Sequence, residues 1–177
     1  MNTHFEISLR KALVAELTTA NEAIVNDLSA ELKAQGYVLS GDLLRSIHAS
    51  IVTANDKFTT SIEYLDYGDE LNKGKSAAEM RRIPLSILIN IMLQYALKRN
   101  PNMRTPERYK FAINTARKWQ QEGKPTKASS RFSTNGFRTQ WLSRGLKNID
   151  TYYEIAISRW AVIFDSLLYS NLTTDNA

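Results

Sequence analysis

The stretch Ser40–Tyr67, SGDLLRSIHASIVTANDKFTTSIEYLDY, decides how the rest of the chain is read. Apolar residues alternate with period two here, and they do so twice. Ile47, Ala49 and Ile51 alternate with Ser46, His48 and Ser50, and Phe58, Thr60, Ile62 and Tyr64 alternate with Thr59, Ser61 and Glu63. Successive strand side chains point to opposite faces, so each run predicts a strand with one buried face. Asn55-Asp56-Lys57 lies between them and supplies turn chemistry, because Asn and Asp tolerate left-handed backbone and bond their own main chain. A β-hairpin over about residues 46–65 is expected.

Outward from the hairpin, nearly everything reads as helix. From Phe5 to Leu32 the residues Leu9, Leu13, Leu17, Ile24, Leu28 and Leu32 recur every four or seven positions, the stripe of a long amphipathic helix. Glu6 and Arg10 stand at the favourable i,i+4 spacing, and Gly36 is placed to end the helix. Ser40 reads as an N-cap, with Gly41-Asp42 opening a single turn that carries Leu43 and Leu44 to the first strand.

On the other side, residues 66–80 (DYGDELNKGKSAAEM) are short of large apolar side chains and hold two glycines, which predicts an exposed loop with at most one helical turn near Gly68–Leu71. Pro84 suits a first helical turn, so a strongly apolar helix, buried on several sides, is expected over about 84–99. Thr105-Pro106-Glu107 starts another, over about 105–121, with Gly123 as terminator and Tyr109, Ile113, Ala116 and Trp119 as its stripe. Residues 124–140 show no periodicity and read as a basic loop, although Asn135-Gly136 between Phe132 and Phe137 also fits a short hairpin. Leu146, Ile149, Tyr153, Ile157, Trp160, Ile163/Phe164 and Leu167 then mark a second long amphipathic helix. The expected fold is one α+β domain: long N- and C-terminal helices packed on a small antiparallel sheet, with two further helices inserted.

Composition narrows the function. The chain of 177 residues is 43% hydrophobic and 23% charged, ordinary for one globular domain with a real core. No apolar run reaches the ~18 residues of a membrane span, and Glu6 precedes any apolar run, so neither a membrane anchor nor a secretion signal is expected. With no cysteine, disulfide frameworks, thiolate metal sites and cysteine nucleophiles are excluded. The net charge of +5 is unevenly spread: net −5 over residues 1–80, net +11 over 81–140 and net −1 over 141–177. Such polarity fits a polyanionic partner or contact between copies of the chain.

Catalytic signatures are sparse. His4 and His48 are the only histidines, and His48 falls on the outer side of its strand. Without a second histidine nearby, zinc is not expected. The phosphate loop, nucleophile elbow and dinucleotide fingerprint are all missing. Asp66, Asp69 and Glu70, with Lys73, resemble the parts of a metal-dependent nuclease, but they fall in the expected glycine-bearing loop and read more simply as an acidic contact surface. The stronger signal is basic: Arg81, Arg82, Lys124, Lys127, Arg131 and Arg138 are the candidates for facing a partner or DNA. Tyr109, Phe111, Trp119, Phe132 and Phe137 are interleaved with cations, either to stack on bases or to fill the core.

Ser40-Gly41-Asp42-Leu43-Leu44-Arg45-Ser46-Ile47 resembles the Gly-x-Leu-x-x-Ser-Ile segment of the tail-completion or head–tail joining (neck) proteins of long-tailed bacteriophages. As in those proteins, a long N-terminal helix comes before it and two alternating strands after it. Tyr64-Leu65-Asp66-Tyr67-Gly68 is similar to their tyrosine–glycine element, and Gly123-Lys124-Pro125-Thr126-Lys127 with Asn135-Gly136-Phe137-Arg138-Thr139 to their basic loop before a C-terminal helix. The two helices between Ile83 and Gln121 depart from the shorter members. The resemblance implies a non-enzymatic virion protein without cofactor or metal. It implies a homo-oligomeric ring at the head–tail interface or upper tail, assembled in the host cytoplasm. Its partners would be itself, portal, connector or tail proteins, and DNA in the lumen. The sequence alternative is a nucleic-acid-binding module built on residues 81–138.

Overall fold

In a computed structural model the described residues are 3–37, 41–55, 57–126, 133–136 and 138–174. The chain is α+β. It holds α1 (Thr3–Ala34), α2 (Asp42–Ser46), β1 (His48–Ala54), β2 (Lys57–Glu63), α3 (Tyr67–Lys73), α4 (Ala77–Arg81), α5 (Leu85–Arg99), α6 (Thr105–Glu122), α7 (Trp141–Gly145) and α8 (Ile149–Thr174). Its contacts group the chain into two compact units. One comprises Met1–Ala30, Arg45–Tyr64 and Ser143–Ala177; the other comprises Glu31–Leu44 and Leu65–Leu142.

The first unit holds the hairpin. β1 and β2 pair antiparallel with Ala49 opposite Ile62, Ile51 opposite Thr60 and Thr53 opposite Phe58, so the two apolar sets share one face. Asn55 takes φ +49°, the left-handed backbone a two-residue turn demands; Asp56 lies outside the described residues, and Lys57 already belongs to β2. The long helices both pack on each other and reach the hairpin. The Tyr153 hydroxyl on α8 donates to Asn21 Oδ1 on α1 (2.8 Å) and lies 2.9 Å from Thr60 Oγ1 on β2.

Further along, Tyr152 and Asn148 both donate to Asp27 Oδ2, Trp160 Nε1 donates to the Leu9 carbonyl, and Phe5 meets Phe164 at 6.2 Å between ring centroids. As the partner number rises on α8 it falls on α1, so the two run antiparallel. Leu17, Ala20, Ile24 and Leu28 are buried from α1 and Ala156 from α8. At Gly145 an added Cβ would lie 2.7 Å from Leu28 Cδ2 and 2.9 Å from its Cα, so no larger residue fits there without movement. Ile157, expected on the packed stripe, is exposed. The 3.6-residue period runs instead through Tyr153, Ala156, Trp160, Ile163 and Leu167.

The second unit is helical. α1 ends in a Schellman turn: Gly36 at φ +74° donates to the Lys33 carbonyl and Tyr37 N–H to that of Leu32. Residues 66–80, expected as an exposed loop, form α3 and α4. Asp69 and Glu70 occupy the first turn of α3, where carboxylates favour the helix dipole, and Gly74 at φ +71° stops it. α4 begins with a complete capping box: Ser76 Oγ accepts from Glu79 N–H while the Glu79 carboxylate accepts from Ser76 N–H at 2.7 Å. Hydrogen bonds from the Ser76 hydroxyl and N–H hold the Glu79 carboxyl below its usual pKa.

Met80, Leu88 and Ala116 form one core cluster of this unit, with Ile83, Leu85, Ile89 and Trp119 packed against it. Two expectations fail here. Ile87 and Ile91 of α5 are about half exposed, because its buried stripe is the narrow set Leu88, Met92 and Ala96. Tyr109 is 50% exposed; α6 packs through Ala112 and Ala116, small residues that let helices approach closely. Arg104 occupies the cap position of α6, with Thr105 already helical and no side-chain cap bond.

Candidate functional site

In the second unit the chain brings two of the expected cations together with residues the sequence left unconnected. Gly74 ends α3 and Gly123 ends α6, and the residues that follow them pair as a two-residue antiparallel bridge. Lys75 N–H donates to the Lys124 carbonyl and Lys124 N–H to the Lys75 carbonyl, both at 2.7 Å. The crossing is tight. A Cβ on Gly123 (φ +88°) would sit 2.6 Å from the Lys75 carbonyl oxygen, and one on Gly74 2.8 Å from that of Lys124. Only glycine suits both the backbone angle and the space.

The side chains then gather charge. Lys124 Nζ lies over the Trp119 ring, 5.0 Å from its centroid. Burial lowers the Lys124 pKa. Glu70 opposes that shift, while Lys75 and Arg138 add to it by like-charge repulsion. Lys75 Nζ pairs with Glu70 Oε1 at 3.0 Å. Glu70, one of the expected acidic contact residues, is thus drawn into the cluster.

Arg138 closes the other side. Its guanidinium stacks 4.4 Å above the Tyr37 ring, and Nη1 donates to the Gln35 carbonyl at 2.5 Å. The Tyr37 hydroxyl donates to the Arg138 carbonyl. Burial pushes the Tyr37 pKa up, with Arg138 pulling the other way. Gln35 is fully buried: its Nε2 donates to Glu31 Oε1 (2.8 Å) and to the Thr139 carbonyl (3.0 Å), leaving Oε1 without a partner among the described residues. Arg138 Nε is likewise buried and unpaired among them. Trp141, fully buried, donates to the Gly68 carbonyl at 2.9 Å, and Asn72 accepts from Leu142 N–H. These bonds fix the segment that follows the basic loop against the end of α1 and against α3.

The remaining candidates are scattered. Arg81 reaches the Gln120 carbonyl at 3.4 Å, and Arg82 closes α4; both are exposed. Asp66 occupies the cap position of α3 without a side-chain cap bond, Asp69 is exposed in the first turn, and Lys73 is the helix's last residue. Lys127 and Arg131 lie outside the described residues, as do Ser40, Phe132 and Phe137. Among the described residues no three or more His, Asp or Glu side chains are grouped to hold a metal ion, and no helix is long and apolar enough to cross a membrane.

Gln35, Tyr37 and Lys75 complete the cluster without having been candidates, and Trp119, one of the aromatics expected among the cations, joins it. Gln35 carried a signal: it continues the apolar stripe from Leu28 and Leu32, where a buried amide needs partners. The arrangement brings together a desolvated ammonium, a stacked guanidinium and the carboxylates of Glu31 and Glu70. No protein-family model, curated protein or solved structure matches the chain.

Proposed function

We propose that this chain is a non-enzymatic structural subunit of a tailed-bacteriophage virion, a ring-forming protein at the head–tail joint. The observation that carries this reading, beside the sequence resemblance, is the surface of α8. One stripe of that helix packs on α1, yet Ile155, Val162 and Tyr169, each seven residues from the next, point outward. Val162 and Tyr169 are 69% and 73% exposed. A helix that carries apolar residues on a second side is half covered by its own chain. Here Ile155, Val162 and Tyr169 recur along one face with Ser158, Arg159, Asp165 and Ser166 between them, apolar contact points in a polar rim of the kind that meets another protein. A virion subunit that exists to be packed among neighbours has such a surface; an isolated small-molecule enzyme has no use for it. On this reading Lys124 and Arg138 shape the second unit, and exposed Arg81 and Arg82 remain available to neighbours.

Sedimentation velocity and particle analysis test it. The expected result is concentration-dependent association, alone or with the portal, connector or tail proteins of the same particle, reduced by Val162→Glu. A chain that stays monomeric in those mixtures and is missing from purified particles overturns the proposal.

A further inference from the structure

We propose that the tip of the α5–α6 hairpin binds single-stranded nucleic acid. This goes beyond the virion reading and does not rest on it. Between residues 98 and 110 the chain carries Lys98, Arg99, Arg104, Arg108 and Lys110 against the single acid Glu107. Arg108 is committed to the turn: its Nη2 donates to the carbonyls of Met103 (2.8 Å) and Pro101 (3.3 Å), which fixes the loop between the helices. Lys98, Arg99, Arg104 and Lys110 are exposed.

The aromatic rings of this region stand among those cations instead of in the core. Tyr109 is 50% and Phe111 36% exposed. Phe111 stacks on Tyr95, with centroids 6.4 Å apart and planes 12° from parallel, and the Tyr95 hydroxyl accepts from Arg99 Nη1 at 2.9 Å. Beside them opens a cavity of about 430 Å³ lined by Arg99, Asn100, Met103 and Phe111.

These pieces match a nucleotide part by part. The open area of Phe111, with the Met103 thioether, offers an apolar floor for a flat base. The Asn100 amide both donates and accepts, as a base edge requires, and the surrounding cations match phosphates. A duplex would satisfy the cations but keeps its base faces stacked inside, so the aromatic pocket selects a single strand. An acidic protein would likewise meet the charge and leave the pocket without an occupant.

The test is fluorescence anisotropy of the full chain with a labelled oligothymidylate, with a duplex of equal length and poly-glutamate as competitors. Four phosphate contacts predict about a 50-fold loss of single-strand affinity between roughly 50 and 200 mM salt. Loss of one stacked base in Phe111→Ala predicts about tenfold weaker binding. Phe111→Leu, which keeps an apolar side chain against Tyr95, should lose affinity too and guards against a folding artefact. Lys98→Gln with Lys110→Gln should flatten the salt slope by about 1.4. Four results would each overturn the proposal: no binding near 50 mM salt, a duplex bound as tightly as the single strand, poly-glutamate competing as well as the oligonucleotide, or unchanged affinity in both Phe111 variants.

Discussion

At the Lys75–Lys124 crossing and at the α5–α6 tip the chain sets cations beside aromatic rings, but it turns them in opposite directions. At the crossing, Lys124 lies over Trp119 and Arg138 over Tyr37, and the guanidinium donates to a main-chain carbonyl of its own fold. At the tip, Tyr109 and Phe111 are exposed, and so are Lys98, Arg99, Arg104 and Lys110. The same composition therefore serves as an internal fastener in one place and a contact surface in the other. Burial decides which, because a cation taken out of water must be matched locally, whereas one left in water can meet a partner.

The comparison breaks most readily at the glycines of the crossing. Gly123→Ala adds a side chain at φ +88° and 2.6 Å from the Lys75 carbonyl oxygen. Strain and overpacking together predict a loss of about 2–5 kcal/mol, read as a lower urea midpoint. A midpoint within error of the parent would mean the two backbones do not cross there. Next in size is Arg138→Met, which strips the Gln35 carbonyl of its donor and should cost about 1–3 kcal/mol. Arg138→Lys should recover little of it, since a point charge does not replace a planar guanidinium stacked on Tyr37. Full recovery by lysine would make the site a matter of charge alone.

How far each region was legible follows from the range of its contacts. The hairpin and the spans of α1, α5, α6 and α8 rest on periodicity and local stop signals, which a single sequence displays. α4 was legible and overlooked: Ser76-Ala77-Ala78-Glu79 is a capping-box pattern, outweighed by the two glycines before it. The fastener was not legible. Gln35 meets Thr139 across 104 positions and Tyr37 meets Arg138 across 101, and no periodic signal links residues so far apart. At the tip the charges were plain from the sequence, but the outward turn of Tyr109 was not. The buried stripe of α6 falls to Ala112 and Ala116, which hydrophobicity alone ranks below tyrosine and phenylalanine.

Lys124→Met should change stability in the opposite direction from the other crossing variants. Burial is the largest influence on the Lys124 pKa and lowers it from about 10.5. The folded chain then holds this proton less tightly than the unfolded chain does. The resulting penalty is full below the folded pKa, shrinks as pH rises through it, and is gone above the unfolded value. Methionine removes it and keeps a sulfur–aromatic contact with Trp119, which offsets the lost cation–π attraction. The variant should melt higher than the parent at pH 7, with the gap closing toward pH 10.5. A lower melting temperature at pH 7 would show the cation–π contact outweighing desolvation.

The smallest effect sharpens the contrast most. Tyr109→Ser and Lys110→Gln alter exposed residues on the outer side of α6, so each should leave stability within about 0.5 kcal/mol of the parent. If the tip is a contact surface, those substitutions still weaken oligonucleotide binding, because the groups they remove act on a partner and not on the fold. The crossing variants should do the reverse, changing the urea midpoint while a folded protein keeps its salt-dependent affinity. A tip variant that unfolds the protein, or a Lys124→Met protein that loses oligonucleotide affinity while fully folded, would erase the distinction and place both basic regions in one site.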